Sequence, residues 1–385
     1  MGQSNSTGLA RASEIYENRG EIAHELKAEG KKVIGYLCAY PALELLTAMD
    51  YVPYRVLGTM DEPITKADLH VPSIICAVLR SQLDLGLKGK YDFLEGFVGV
   101  HTCDCGEKFC HLWNSRVPLP YDHFIDFPHV VHEDSFAFLK DGLKVFQESL
   151  EEFSGKKLDP GRLKQEIARH NAQRAKVREL YELRKQDPPL VSGTEVLKVV
   201  LSLLTMPIDD GTRLVQEVID EVKTRQDGPT KKGARLMIWG TPMTEVKLVE
   251  MIENLDASVV MDDICTGSRH WWPDVEITDD PLDGMAKRYL EDIKCPRTFR
   301  DSKNSYEEEQ ESRFGYLAEY VRDWSADGVL LISVKYCDTH GYEVPTIMAY
   351  FDRLGVPNMY LEHEYTMVAT APLQTRVEAF LEMIA

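Results

Sequence analysis

Residues 101–111 read HTCDCGEKFCH, placing Cys103, Cys105, Cys110, His101 and His111 within eleven positions. Thiolates and imidazoles at this density are metal-ligand chemistry, and two arrangements follow. A local one uses Cys103, Cys105, Cys110 and His111 as a zinc knuckle or clip. The spacing C-x-C-x4-C-H fits no common zinc pattern, because knuckles and ribbons favour C-x2-4-C pairs. If the preceding strand continues, Cys103 and Cys105 also point to opposite faces. A dispersed arrangement gathers distant thiolates from several strand ends and suits an iron–sulfur cluster. Spacing alone leaves both open.

The chain has eight cysteines: Cys38, Cys76, Cys103, Cys105, Cys110, Cys265, Cys295 and Cys337. A large chain without an apolar leader is expected to keep them reduced, which argues against a disulfide framework. Taken singly, each reads as a small buried hydrophobe, and Cys295 in the ordinary loop "DIKCPRT" fits that reading best. Cys38, Cys103, Cys265 and Cys337 differ, because each follows an apolar run that reads as a strand. Ligand crevices of open α/β sheets lie at the carboxyl ends of strands, where helix N-termini also favour thiolate over thiol. Cys76 lies inside "VPSIICAVLRSQLDLGL", at the start of a helix after Pro72.

The elements that must position these residues are buried parallel strands, each followed by a helical pattern. Strands are predicted in 31–40, 93–102, 121–128, 234–242, 257–266, 328–337 and 356–365, with helices such as "ALELLTAM", "TEVKLVEMIENL" and "LQTRVEAFLEMI" among them. From about 133 to 226 only helical patterns occur, including a long charged helix that stops before Asp187-Pro188-Pro189. The fold class is therefore α/β, with two doubly wound parallel-sheet lobes separated by a helical segment. The expected parts are residues 1–132, 133–232 and 233–385, with the polar linker 224–234 at the second boundary. Pro41-x-x-Glu44 and Pro242-x-x-Glu245 each follow a first strand, which suggests that the lobes are related.

The 385 residues carry a net charge of −19, so a nucleic-acid partner is not expected. No run of about eighteen apolar residues occurs, so no membrane span is expected. MGQSNSTGLA lacks a signal segment, and the expected location is cytoplasmic. Gly2 and Ser6 match the permissive N-myristoylation pattern, for which chance is the better reading.

Together, "GYLCAYPALELLTAMDYVP", "IICAVLRSQLDLGLKGKYDFLEGFVGVHTCD", "DDICTGSRHWW", "DPLDGMAKRYLEDIKCPRT" and "GVLLISVKYCDTHGYEVP" form a specific set. By these motifs the chain resembles the family uniting ATP-dependent benzoyl-CoA reductases and 2-hydroxyacyl-CoA dehydratases, over nearly its whole length. The resemblance implies the smaller catalytic subunit, holding a [4Fe–4S] cluster through Cys76, Cys103 and Cys337. It leaves Cys105, Cys110 and Cys295 outside the ligand set. It implies low-potential one-electron chemistry on an acyl-CoA substrate. The stretch "ICAVLRSQLDLGLKGKYDFLEG" leans towards reduction of benzoyl-CoA to a cyclic dienoyl-CoA. The alternative is an (R)-2-hydroxyacyl-CoA dehydratase working through a ketyl radical. The implied partners are a homologous larger catalytic subunit and an ATPase activator with its own cluster, with reduced ferredoxin as electron donor. The lack of a G-x4-GK[ST] loop agrees with ATP being handled by a partner. A further alternative from another class is a non-catalytic zinc scaffold on residues 103–111.

Other candidates come from position. Glu44 could donate a proton or position a thioester, or merely interact with a helix dipole. Arg269 could meet a carbonyl or CoA phosphate, with an ordinary salt bridge as rival. Trp271 and Trp272 could line an aromatic pocket or pack at an interface. His101 and His340 flank two implied ligands and could hydrogen-bond a cluster sulfur or supply a proton.

Overall fold

Val33 and Ile34 are neighbours in sequence and both fully buried, one in each of two separate apolar cores. A strand buried on both faces is the signature of a parallel sheet covered by helices on either side. The computed structural model describes residues 7–300, 305–366 and 370–384, so the Gly2/Ser6 pattern lies outside the described residues.

Helices α1 (Gly8–Glu17) and α2 (Arg19–Ala28) precede β1 (Lys32–Tyr36), α3 (Leu43–Ala48), β2 (Tyr51–Arg55), α4 (Ala77–Leu87), β3 (Gly96–Val100), α5 (Asp104–Arg116) and β4 (Tyr121–Ile125). Four helices follow without a strand: α6 (Glu133–Ser154), α7 (Pro160–Glu182), α8 (Gly193–Leu203) and α9 (Ile208–Thr224). The second half comprises β5 (Ala234–Gly240), α10 (Lys247–Glu253), β6 (Ala257–Ile264), α11 (Ser268–Trp271), α12 (Pro281–Lys287), α13 (Tyr306–Asp323), β7 (Gly328–Val334), α14 (Asp338–Gly341), α15 (Val344–Leu354), β8 (Asn358–His363) and α16 (Thr370–Ile384). No helix among the described residues is long and apolar enough to cross a membrane.

The eight strands form two four-stranded parallel sheets of the same topology, β2-β1-β3-β4 and β6-β5-β7-β8. This is the α/β architecture of two parallel-sheet lobes that the strand–helix alternation implies. In each sheet the chain starts at an inner strand, moves outward, then crosses back to the other side. The crevice of such a sheet opens at that reversal, between β1 and β3 and between β5 and β7. Strand β2 escapes sequence detection because Pro53 interrupts "YVPYR". The sheet tolerates it because β2 is an edge strand, where Pro53 lies opposite Ile34.

The helices do not form a free-standing middle layer. Leu139, Leu143, Phe146 and Ile167 from α6 and α7 pack into the first sheet's core, together with Leu282, Met285 and Tyr289 from the second half. Helices α8 and α9 pack into the core of the second sheet through residues such as Val199, Val200, Val215 and Ile219. This interleaving holds the two crevices in fixed relation.

Candidate metal centre

Six of the eight cysteines, Cys38, Cys76, Cys103, Cys265, Cys295 and Cys337, line one cavity with about 110 Å³ of free space. The first half contributes Cys38, Cys76 and Cys103, and the second contributes Cys265, Cys295 and Cys337. Cys103 and Cys337 occupy matching places, each three residues past the strand, β3 or β7, that borders its sheet's reversal point.

Local backbone explains how each thiol reaches the cavity. Cys103 is the N-cap of α5, and its Sγ accepts the backbone N–H of Gly106 at 3.3 Å. Cys76 occupies the N-cap position of α4 without a side-chain cap hydrogen bond, so both residues stand at helix N-termini, where N–H dipoles favour negative charge. Cys38 has φ 66°, and Tyr336, immediately before Cys337, also has φ 66°. Left-handed backbone in such residues costs on the order of 1–3 kcal/mol and gathers at functional sites. Cys265 follows the last residue of β6 directly.

The thiols act on one another in two groups. Cys337 feels Cys76 and Cys103, while Cys265 feels Cys295 and Cys38; Cys295 also acts on Cys337 and links the sets. Burial pushes Cys38 and Cys76 up to about 11 and Cys337 well above the ordinary thiol range. The neighbouring Cys265 thiol, with Arg269 and Tyr40, holds Cys295 below the ordinary thiol range, while Cys265 is raised well above it.

Three guanidiniums surround this cavity. Arg269 is neutralised by Asp263 at 2.8 Å, and its Nη1 donates to Cys265 Sγ at 3.2 Å and to His340 Nε2 at 3.1 Å. Because arginine can only donate, His340 Nε2 accepts; the hydrogen-bond network therefore assigns its proton to Nδ1, 3.4 Å from Cys337 Sγ. Burial holds His340 neutral, well below its ordinary pKa. Arg55 and Arg297 line the cavity, are 3% and 6% exposed, and bond only to carbonyl and hydroxyl oxygens, without a carboxylate partner among the described residues. The Tyr40 hydroxyl and Gln82 Oε1, also in the lining, are buried without a nitrogen or oxygen partner. Unpaired buried cations cost several kcal/mol each. Thiols, guanidiniums without a carboxylate and polar atoms without a nitrogen or oxygen partner around one space fit an anionic, sulfur-ligated group.

The three implied ligands Cys76, Cys103 and Cys337 are thus brought together. The local zinc clip is not formed, because Cys103 lines the cavity while Cys105 and Cys110 lie in other surroundings. Cys110 is buried against Gly99, where a Cβ would come within 2.5 Å of its sulfur. Cys105 faces a separate apolar groove with Val71, Ile75 and Leu112. Among the described residues no three His, Cys, Asp or Glu side chains close in around a single metal ion.

Five other candidates, Glu44, Arg269, Trp271, Trp272 and His101, lie outside the cavity lining. Glu44 is fully buried, with its carboxylate on Arg174 and on the Tyr289 hydroxyl at 2.8 Å. Helix α3 turns its first residues towards α7, away from the cysteines. Arg269 stands behind the cavity wall in the salt bridge described above. Trp271 is buried beside His270, and Trp272 packs on Tyr181, Tyr320 and Trp324 inside the chain. His101 bonds Asp126 at 2.9 Å, outside the lining. Sequence reading missed Cys295 and the two arginines; the Cys-Pro-Arg run at 295–297 is the one local hint.

A family model described as 2-hydroxyglutaryl-CoA dehydratase, D-component, matches residues 38–384. The (R)-phenyllactyl-CoA dehydratase beta subunit of Clostridium sporogenes is 26% identical over 377 residues, covering 96% of this chain and 97% of that one. One of the subunits of benzoyl-CoA reductase from Thauera aromatica is 23% identical, covering 98% and 97%. The putative dehydratase subunit YjiM of Escherichia coli (strain K12) is 27% identical, covering 94% and 93%.

Proposed function

Since the chain belongs to the 2-hydroxyglutaryl-CoA dehydratase D-component family, we propose that it is the iron–sulfur subunit of a low-potential acyl-CoA enzyme. Cys76, Cys103 and Cys337 hold a [4Fe–4S] cluster. The observation that carries this reading is the convergence of thiols from both sheets on one cavity that also holds unpaired buried cations. When bound, such a cluster supplies single electrons at low potential through an iron that carries no protein thiolate.

The chain's own residues prepare the site. His340 donates Nδ1–H towards Cys337 Sγ, and Arg269 fixes the ring by donating to Nε2. Leu37, Leu57, Val78 and Leu79 line the cavity with hydrocarbon and exclude water. The Tyr40 hydroxyl keeps its proton, because burial raises its pKa well above the ordinary value.

The relatives are named as subunits, which supports a companion catalytic subunit. An ATPase activator and reduced ferredoxin complete the proposed electron path, in the cytoplasm. Two reactions share this chemistry. Reduction of benzoyl-CoA is supported by the motif stretch at 75–96 and by the match to the Thauera aromatica benzoyl-CoA reductase. Dehydration of a 2-hydroxyacyl-CoA is favoured by the dehydratase names and the higher identity to the phenyllactyl-CoA enzyme. An anaerobic assay of the chain with its companion, activator and ATP separates them. Dienoyl-CoA from benzoyl-CoA supports the first, and enoyl-CoA from a 2-hydroxyacyl-CoA supports the second. Anaerobic protein with about one zinc and no acid-labile sulfide per chain refutes both.

A further inference from the structure

Apart from the cysteine cavity, a second space of about 390 Å³ lies where α1, α2, α8 and α10 meet the loop after β2. Its charged lining is Arg19, Lys198 and Lys247 with Glu17, Asp61, Glu245 and Glu250. We infer that this space binds a small zwitterion, a free amino acid whose carboxylate meets Arg19 and Lys198 and whose ammonium group meets Glu17 and Glu250.

Opposite charges here share one space without neutralising one another. Among the described residues only Lys247 and Asp61 close an ion pair. Arg19 opens α2 and lays its guanidinium on the Tyr16 ring, 4.6 Å from the centroid. That ring is fixed, because its hydroxyl donates to Glu245 Oε2 at 2.7 Å and accepts the Val246 N–H at 3.2 Å. Arg19 Nη1 is buried and has no acceptor among the described residues. A buried donor without an acceptor is costly, and the planar fork of a guanidinium matches a carboxylate. Lys198 stands half-buried on α8 and adds a second cation without a carboxylate partner.

The acidic side decides the class of ligand. A phosphate or a dicarboxylate would meet Glu17, Glu245 and Glu250 in the same lining, and like charges in one space repel. An ammonium group on the ligand turns Glu17 and Glu250 into partners, while Glu245 stays engaged by Tyr16. The volume falls within the range of about 300–1,000 Å³ usual for small-molecule sites. Two chain segments divide this space from the cysteine cavity. Leu57 and Thr244 line the cysteine cavity, and Thr59 and Glu245 line this one. An occupant therefore bears on both segments of that partition.

Isothermal titration of the anaerobically purified full-length chain tests this, with each of the free amino acids added singly. Propionate, ethylammonium, inorganic phosphate and coenzyme A are the controls. At least one amino acid should bind saturably at about one per chain, with propionate and ethylammonium silent at the same concentration. Arg19→Gln and Glu250→Gln should each weaken that binding by about tenfold or more. Propionate binding as tightly as the amino acid overturns the zwitterion. So does phosphate or coenzyme A binding that is lost in Arg19→Gln while no amino acid binds. Amino-acid binding unchanged in both variants overturns the placement, and no binding by any amino acid overturns the site. Should a variant fail to fold, the wild-type choice between the amino acid and its two singly charged analogues decides alone.

Discussion

Replacing Glu44 with Gln separates a carboxylate that does chemistry from one that holds the molecule together. Glu44 sits on α3 of the first half, Arg174 on the intervening α7, and Tyr289 just after α12 of the second half. One side chain thus joins three segments far apart in the sequence. Arg174 and Arg288 are 3% and 0% exposed, and burial together with the Arg174 charge already pushes Arg288 down to about 10. In Glu44→Gln the amide oxygen still accepts from Tyr289, so that bond survives. What disappears is the negative charge, leaving two buried guanidiniums against a neutral group. Breaking a buried ion pair by removing one partner costs about 3–5 kcal/mol. The assay is urea unfolding of the metal-free chain at neutral pH, with iron content measured on the reconstituted, folded fraction. We expect that loss of stability and unchanged iron per folded chain. The double replacement Glu44→Leu/Arg174→Met should lose less than Glu44→Gln alone, because no charge is stranded at Arg174. The sign with pH is also set. Despite burial, Arg174 and its cationic neighbours hold Glu44 well below the ordinary carboxylate range. Its contribution is therefore full above the unfolded-state value of about 4.3 and fades as pH falls below it. Turnover lost by orders of magnitude with stability within about 0.5 kcal/mol of wild type would refute this reasoning and restore a chemical role.

Other outcomes can be measured directly. Burial lowers His170 to about 3, so the unfolded chain binds a proton below about pH 6.5 that the folded chain refuses. His170 should contribute about 1.4 kcal/mol per pH unit to the loss of stability on acidification, and the slope should flatten by that amount in His170→Asn; an unchanged slope contradicts the assignment. His340→Leu removes the N–H directed at Cys337 Sγ and should make the cluster potential more negative with iron retained, as read by EPR-monitored titration. An unshifted potential would show that this hydrogen bond is not made to the cluster ligand. Cys110→Ala should retain all iron and lose about 1 kcal/mol, since its sulfur only packs against Gly99. Loss of iron there would revive the local metal clip.

The strands and their order of use were readable because buried parallel strands leave long apolar runs, and Val33 and Ile34 show why: both faces are covered. The cysteines after those runs pointed to a crevice for the same reason, since strand ends and sheet reversals set where ligands bind. The cysteine-bearing motifs were likewise legible as a family resemblance. Strand β2 was not, because Pro53 is disqualifying in an inner strand and harmless at an edge, and edge position exists only in the assembled sheet. Glu44 looked like a crevice residue until α3 was seen to turn it onto Arg174, 130 positions along the chain. Cys295 looked like filler until the fold set it against Cys265 and Tyr40. Arg55 and Arg297 gained meaning only when folding buried them without a carboxylate. Residue type and local period are properties of the chain, whereas compensation of a buried charge depends on which remote groups the fold brings beside it.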